Sequence, residues 1–184
     1  MLNKTLTTAL YGGSFDPPHI GHKAIVEALR KLDYIDKITI MPTFLNPFKI
    51  SSHAPSELRF RWLKEIFKSF EDVEIDRYEV QQNRQVATIE SVKHLLKSYK
   101  EVYLVIGADN LSSLEQWNSF KELKSLVTFI VASRDNIIID KKFLQLKIDA
   151  QISSSELREN MKPSMLPQEC AIEIEQYYKE HNAR

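Results

Sequence analysis

The chain has little of what staples, chelates or anchors a protein. Its 184 residues include one cysteine, Cys170. An internal disulfide framework is therefore excluded, and a cysteine-based metal site is disfavoured. Charge of neither sign prevails: 25 lysines and arginines face 25 aspartates and glutamates. Bulk attraction to nucleic acid or an anionic membrane normally shows as a basic excess, so neither is expected as a partner. No stretch approaches the ~20 apolar residues of a membrane span. Met1 to Leu10 carries Lys4 but no apolar run of signal-peptide type. Together these absences predict a cytoplasmic protein. Glycine is scarce too, with only Gly12, Gly13, Gly21 and Gly107. Glycine usually serves turns and helix ends. Here all four follow strand-like runs or lie in the loop after one, so those loops are where function is sought. No Gly-Lys-Ser/Thr occurs, which excludes a Walker A loop, and the glycine spacing is wrong for a dinucleotide fingerprint.

What is present reads as an ordinary folded domain over residues 1–184, with 43% hydrophobic and 27% charged residues. Strand-length apolar runs fall at Thr7–Tyr11, Lys37–Met41, Val73–Ile75, Val102–Ile106, Val127–Ala132 and Leu146–Ile152. Several are continuous rather than alternating, as in strands buried on both faces of a parallel sheet. Helical spacing lies between them: Ile20, Ala24, Leu29, Leu32; Leu58, Trp62, Leu63, Ile66, Phe67, Phe70, with Ser56 as N-cap; Ile89, Val92, Leu95, Leu96; and Ala171, Ile174, Tyr177, Tyr178 after Pro167. The alternation predicts an α/β fold, a doubly wound and mostly parallel sheet with helices on both faces. Residues 42–56 hold three prolines and little periodicity, and read as a long functional loop.

Ligands of such sheets sit beyond the carboxyl ends of the strands. The first strand is followed by Gly12-Gly13-Ser14-Phe15-Asp16-Pro17-Pro18-His19-Ile20-Gly21-His22. Two histidines three apart at a helix start share a face and, with free backbone N–H groups, make an anion site. The plainer reading is a turn with two surface histidines. The last strand is followed by Ile152-Ser153-Ser154-Ser155-Glu156-Leu157-Arg158. Ser153 with Glu156 is a capping box, and the plainer reading is only a well-capped helix. Three serines and an arginine also suit phosphate oxygens, with Glu156 turned to solvent.

As a pair, the two segments resemble the signatures of adenylyltransferases with an H-x-G-H motif. Gly107-Ala108-Asp109-Asn110-Leu111 with Trp117, the Pro47-Phe48-Lys49 loop, Arg59, Arg61, Thr88 and the closing Tyr177-Tyr178-x-x-His181 are similar to the bacterial nicotinate-nucleotide adenylyltransferases. The resemblance spans nearly the whole chain. It implies a Rossmann-like nucleotidyltransferase fold that joins nicotinate mononucleotide to the AMP part of ATP and releases pyrophosphate. Phe48, where the family often has histidine, and Ala87, where it often has an aromatic residue, depart from the pattern on the acceptor side.

The resemblance also implies roles. His22, His19 and Arg158 are the expected catalytic residues. ATP is expected on Gly12, Gly13, Ser14, Phe15, His19, His22, Gly107, Asp109, Ser153, Ser154, Ser155 and Arg158. The acceptor is expected on Lys49, Thr88, Trp117 and Arg134. Asp109 has a plainer alternative as a helix N-cap, and Trp62 is expected in the core. Mg²⁺ is expected to arrive with ATP rather than on protein ligands. Homo-oligomer formation stays open. The alternatives are the same chemistry on nicotinamide mononucleotide or phosphopantetheine, or a nucleotide sensor without catalysis.

Overall fold

The computed structural model describes residues 5–133, 139–148 and 152–182. In chain order the elements are β1 (Thr7–Gly13), α1 (Ile20–Leu29), β2 (Lys37–Pro42), α2 (Ser56–Ile66), β3 (Val73–Ile75), α3 (Tyr78–Gln81), α4 (Thr88–Leu95) and β4 (Glu101–Gly107). A 3-10 helix (Ala108–Gln116), α5 (Phe120–Leu126), β5 (Val127–Ser133), β6 (Leu144–Lys147), α6 (Ser154–Glu159) and α7 (Ala171–Asn182) complete it. Among the described residues the strands form one six-stranded sheet in the order β3-β2-β1-β4-β5-β6, with every pair parallel. The expected doubly wound architecture is thus present.

Each face of the sheet feeds its own core, because alternate strand residues point to opposite sides. Along β1, Ala9 and Tyr11 join one core with Val26, Leu29, Trp62, Leu63 and Tyr178 from α1, α2 and α7. Leu10 joins the other with Val92, Leu95 and Leu123 from α4 and α5. The same alternation along β4 sends Val105 to the first core and Leu104 and Ile106 to the second. Trp62 is buried in the first core, as expected.

Several boundaries differ from the sequence reading. The last strand is Leu144–Lys147 rather than Leu146–Ile152; Leu146 is buried on the edge of the sheet while Leu144 is exposed. Ser56 begins α2 and Pro55 is the capping residue, since its ψ of 146° is still extended. Leu32 and Phe70 lie past the ends of α1 and α2 yet still pack on the first core, so helical spacing outran the helices. Pro167 precedes a turn, Cys170 N–H donating to Pro167 C=O at 3.1 Å, and α7 begins only at Ala171. The one-turn helix α3 has too few residues to show a period.

Candidate active site

The strand order reverses between β1 and β4, which run side by side with Tyr11 opposite Val105. A doubly wound sheet opens its ligand crevice at that reversal. A cleft of about 630 Å³ lies there. Gly12 and Gly13 from the end of β1, His22 from α1, Lys49 from the long loop, Thr88 at the start of α4, Gly107 and Asp109 after β4, and Trp117 line it. Eight of the expected residues thus converge from five segments of the chain.

The histidine pair is built by the first turn of α1. His19 is the N-cap, with extended backbone, and His22 sits three residues on. Their rings stack with centroids 3.6 Å apart and planes 22° apart. His22 Nδ1 accepts the backbone N–H of His19 at 3.1 Å. A neutral His22 therefore carries its proton on Nε2. Phe15 packs edge-on against His22 at 4.8 Å and Tyr11 against Phe15 at 5.4 Å. The Phe15 side chain is accordingly core, and Phe15 does not line the cleft. The backbone freedom expected of the glycines is used elsewhere: none has a positive φ, whereas Phe15 does, at 49°. Gly21 is needed for space, since a Cβ there would lie 2.9 Å from Ile152 Cγ2 and 3.0 Å from the His19 ring.

The second motif latches onto the first. Ser153 caps α6 by accepting the Glu156 N–H at 3.2 Å, and Glu156 is exposed, as expected. Ser154 Oγ donates to Pro17 C=O at 2.9 Å. Arg158 donates to Asp16 C=O and, at 3.0 Å, to Ser155 Oγ. Ser153 to Arg158 approach through the Asp16–Pro17 backbone rather than through the cleft walls. Partial desolvation and the charge of Arg158 both lower the pKa of Lys49, so the long loop and the second motif share one field.

Beneath the site lies a clamp that sequence reasoning did not foresee. Arg59, fully buried on α2, donates to Ala54 C=O (2.9 Å), Thr43 C=O (2.8 Å), Phe44 C=O (3.0 Å) and Ser14 C=O. Asp16 accepts the N–H groups of His53 (2.8 Å) and Ala54 (3.0 Å) and the hydroxyl of Tyr178. Burial alone would raise the Asp16 pKa, but these hydrogen bonds and the charge of Arg59 outweigh it and hold the carboxyl below its ordinary value. The motif loop, the long loop and α7 are thereby tied together by hydrogen bonds. A capped amphipathic helix gives no hint that its arginine points inward.

On the acceptor side, Thr88 is the first residue of α4 and Ala87 its cap. Asp109 is the second residue of the 3-10 helix that Gly107 caps, so its plainer role as N-cap does not apply. Its carboxylate folds back over Gly107, where any Cβ would collide with Oδ1. Two buried polar atoms on cleft residues, Thr43 Oγ1 and Trp117 Nε1, have no hydrogen-bond partner among the described residues. Such orphans are costly unless a ligand or water completes them. Arg134 lies outside the described residues.

Residues 10–160 match the cytidylyltransferase-like family model. A probable nicotinate-nucleotide adenylyltransferase of Sulfurimonas denitrificans is 62% identical over 178 residues, which is 97% of this chain and 98% of that one. Another of that name, from Campylobacter jejuni, is 48% identical over 93% of this chain and 96% of its own. The chain belongs to the nicotinate-nucleotide adenylyltransferase family. In fold it is similar to Plasmodium falciparum nicotinic acid mononucleotide adenylyltransferase complexed with NaAD (TM-score 0.79, 20% identity, 98% of this chain and 99% of that one). The same Plasmodium enzyme complexed with APC gives a TM-score of 0.70 at 19% identity, over 97% and 96% of the chains.

As an adenylyltransferase of this family the protein is a nucleotidyltransferase, an enzyme whose reaction generally involves a divalent metal with ATP. Among the described residues no three His, Cys, Asp or Glu side chains cluster as a metal site. No described helix is long and apolar enough to cross a membrane.

Proposed function

We propose that this adenylyltransferase transfers the adenylyl group of ATP to nicotinate mononucleotide, giving nicotinate adenine dinucleotide and pyrophosphate. The observation that carries the reading is the cleft at the sheet's reversal point, lined by His22 and Trp117, with His19 stacked on His22 and Arg158 bound to the backbone of the same motif loop. A phosphate oxygen of the acceptor attacks the α-phosphorus of ATP, the bond to the bridging oxygen of the β-phosphate breaks, and pyrophosphate carries that oxygen away. The nucleophile is already an anion, so no side chain has to remove a proton. Catalysis reduces to alignment and charge stabilisation.

His22 donates its Nε2–H to the α-phosphate as charge gathers there, and His19 stacks behind it and fixes its ring. Arg158 with Ser153, Ser154 and Ser155 holds the β- and γ-phosphates, while Ser14 and Phe15 offer backbone. Lys49 reaches in from the long loop. Gly107 lets the ribose approach Asp109. Thr88 and Trp117 receive the pyridine ring, the indole lying flat on it. A divalent metal such as Mg²⁺, arriving with ATP and held mainly by its phosphates, would supply charge neutralisation for the leaving pyrophosphate.

The test is pyrophosphate release from purified protein given ATP, Mg²⁺ and one acceptor at a time: nicotinate mononucleotide, nicotinamide mononucleotide or phosphopantetheine. Fast release with the first, and a product of the mass of nicotinate adenine dinucleotide, is expected. Release only with another acceptor keeps the chemistry and overturns the acceptor. His22→Ala is expected to lower turnover by roughly 10²–10³-fold, the usual loss for one transition-state donor, with little change in ATP affinity.

A further inference from the structure

The cleft contains an acid that the chemistry above does not use. Glu79, on the one-turn helix α3, lines the cleft and is only 6% exposed. Its Oε1 accepts the Ser91 hydroxyl of α4 at 2.6 Å. No cation pairs with it among the described residues. Arg77 is held by Glu57, Arg84 by Glu90, and His94 lies 3.1 Å from Asp76. From α4 and the end of β3, Glu90 and Asp76 act on Glu79 as like charges. Lys37, on β2, is turned away to Glu71 C=O. Asp109, and Lys49 on its loop, line the same cavity.

We propose that Glu79 is a specificity-determining residue of the acceptor cleft, which admits a pyridine ring bearing a carboxylate only while Glu79 is protonated. The inference rests on nicotinate mononucleotide being the acceptor. A second carboxylate brought into this unpaired, desolvated acidic pocket is opposed by the charge of Glu79 and accepted by its neutral form. An amide at the same ring position does not sense the difference. Burial, opposed by the Ser91 hydrogen bond and reinforced by Glu90 and Asp76, pushes the Glu79 carboxyl up to about 7. The selection therefore operates around neutrality.

The experiment is the KM for nicotinate mononucleotide at saturating ATP from pH 6 to pH 8, in the wild-type protein, Glu79→Gln and Ser91→Ala. Nicotinamide mononucleotide, as substrate or competitive inhibitor, controls for titration of the shared phosphate. With a pKa of about 7, the competent fraction falls about tenfold across that range, so the wild-type KM rises about tenfold. Glu79→Gln keeps the Ser91 bond and is permanently neutral. Its KM should stay flat and, at pH 8, lie about tenfold below that of the wild type. A merely structural role cannot give that gain. Ser91→Ala removes a bond that favours the charged form, so its profile should move to higher pH. A flat wild-type profile, or a slope that survives Glu79→Gln, overturns the proposal while leaving the acceptor intact. No turnover of nicotinate mononucleotide at any pH overturns the acceptor assignment, and this proposal with it.

Discussion

Arg59→Met tests the clamp beneath the site. The guanidinium serves four backbone carbonyls, on the motif loop and the long loop, and its charge acts on Asp16. Methionine fills much of the volume but donates nothing. Removing one partner of a buried charged pair costs about 3–5 kcal/mol, because the other charge and its acceptors stay behind. For a chain of this length each kcal/mol moves Tm by roughly 2–4 °C, so a fall of about 6–20 °C is expected by calorimetry. Arg59→Lys should lie between, since an ammonium has three donors and no fork. Adding Asp16→Asn to Arg59→Met should cost less than the sum of the single changes, because the charge left uncompensated is then removed. Well below its melt, the Arg59→Met protein should also turn over more slowly, since Ser14 and the Lys49 loop lose their common anchor. A Tm within about 2 °C of the wild type would refute the reasoning, as would strict additivity with Asp16→Asn.

Other outcomes follow from the same geometry. The Asp16 pKa is depressed in the folded state, so its stabilisation is full above the unfolded value of 3.8 and is lost as pH falls through the lower folded value. Asp16→Asn should therefore destabilise the protein at pH 7 and flatten its acid-unfolding curve below pH 3.8, as followed by circular dichroism. Gly21→Ala forces a Cβ against the His19 ring and Ile152. It should cost about 1–3 kcal/mol in chemical denaturation and lower kcat more than it alters the KM for ATP. Burial and three surrounding carboxylates push the Cys170 thiol up to about 11. Labelling by a thiol reagent at pH 8 should thus be slow in the native protein and fast in denaturant; rapid native labelling would contradict its placement between α2 and α7.

The architecture was readable because continuous apolar runs such as Val102–Ile106 leave few alternatives to a buried parallel strand. Both motifs were readable as a pair through their resemblance to adenylyltransferase signatures; taken singly, each also suited a plain turn or a capped helix. Arg59, Asp16 and Tyr178 were present in the sequence, but their joint burial is tertiary: the hydroxyl of Tyr178 reaches Asp16 across 162 residues. Glu79 was hidden for a different reason. Its element is four residues long, and only the placement of Ser91, Glu90 and Asp76 around it makes it unusual. The glycines were read as turn residues and as room for a ligand; none has a positive φ, and at Gly21 and Gly107 a Cβ would collide with the protein's own side chains.

The bond between Asp16 and Tyr178 also bears on how the protein comes into being. Residues 14–22 leave the ribosome well before Ser154, Arg158 and Tyr178, on which their final shape depends. A nascent chain can form β1 and α1 long before those partners emerge. It cannot hold the histidine-bearing loop in its working shape until α7 has emerged. Activity should therefore appear abruptly, once α7 has emerged, rather than grow with chain length.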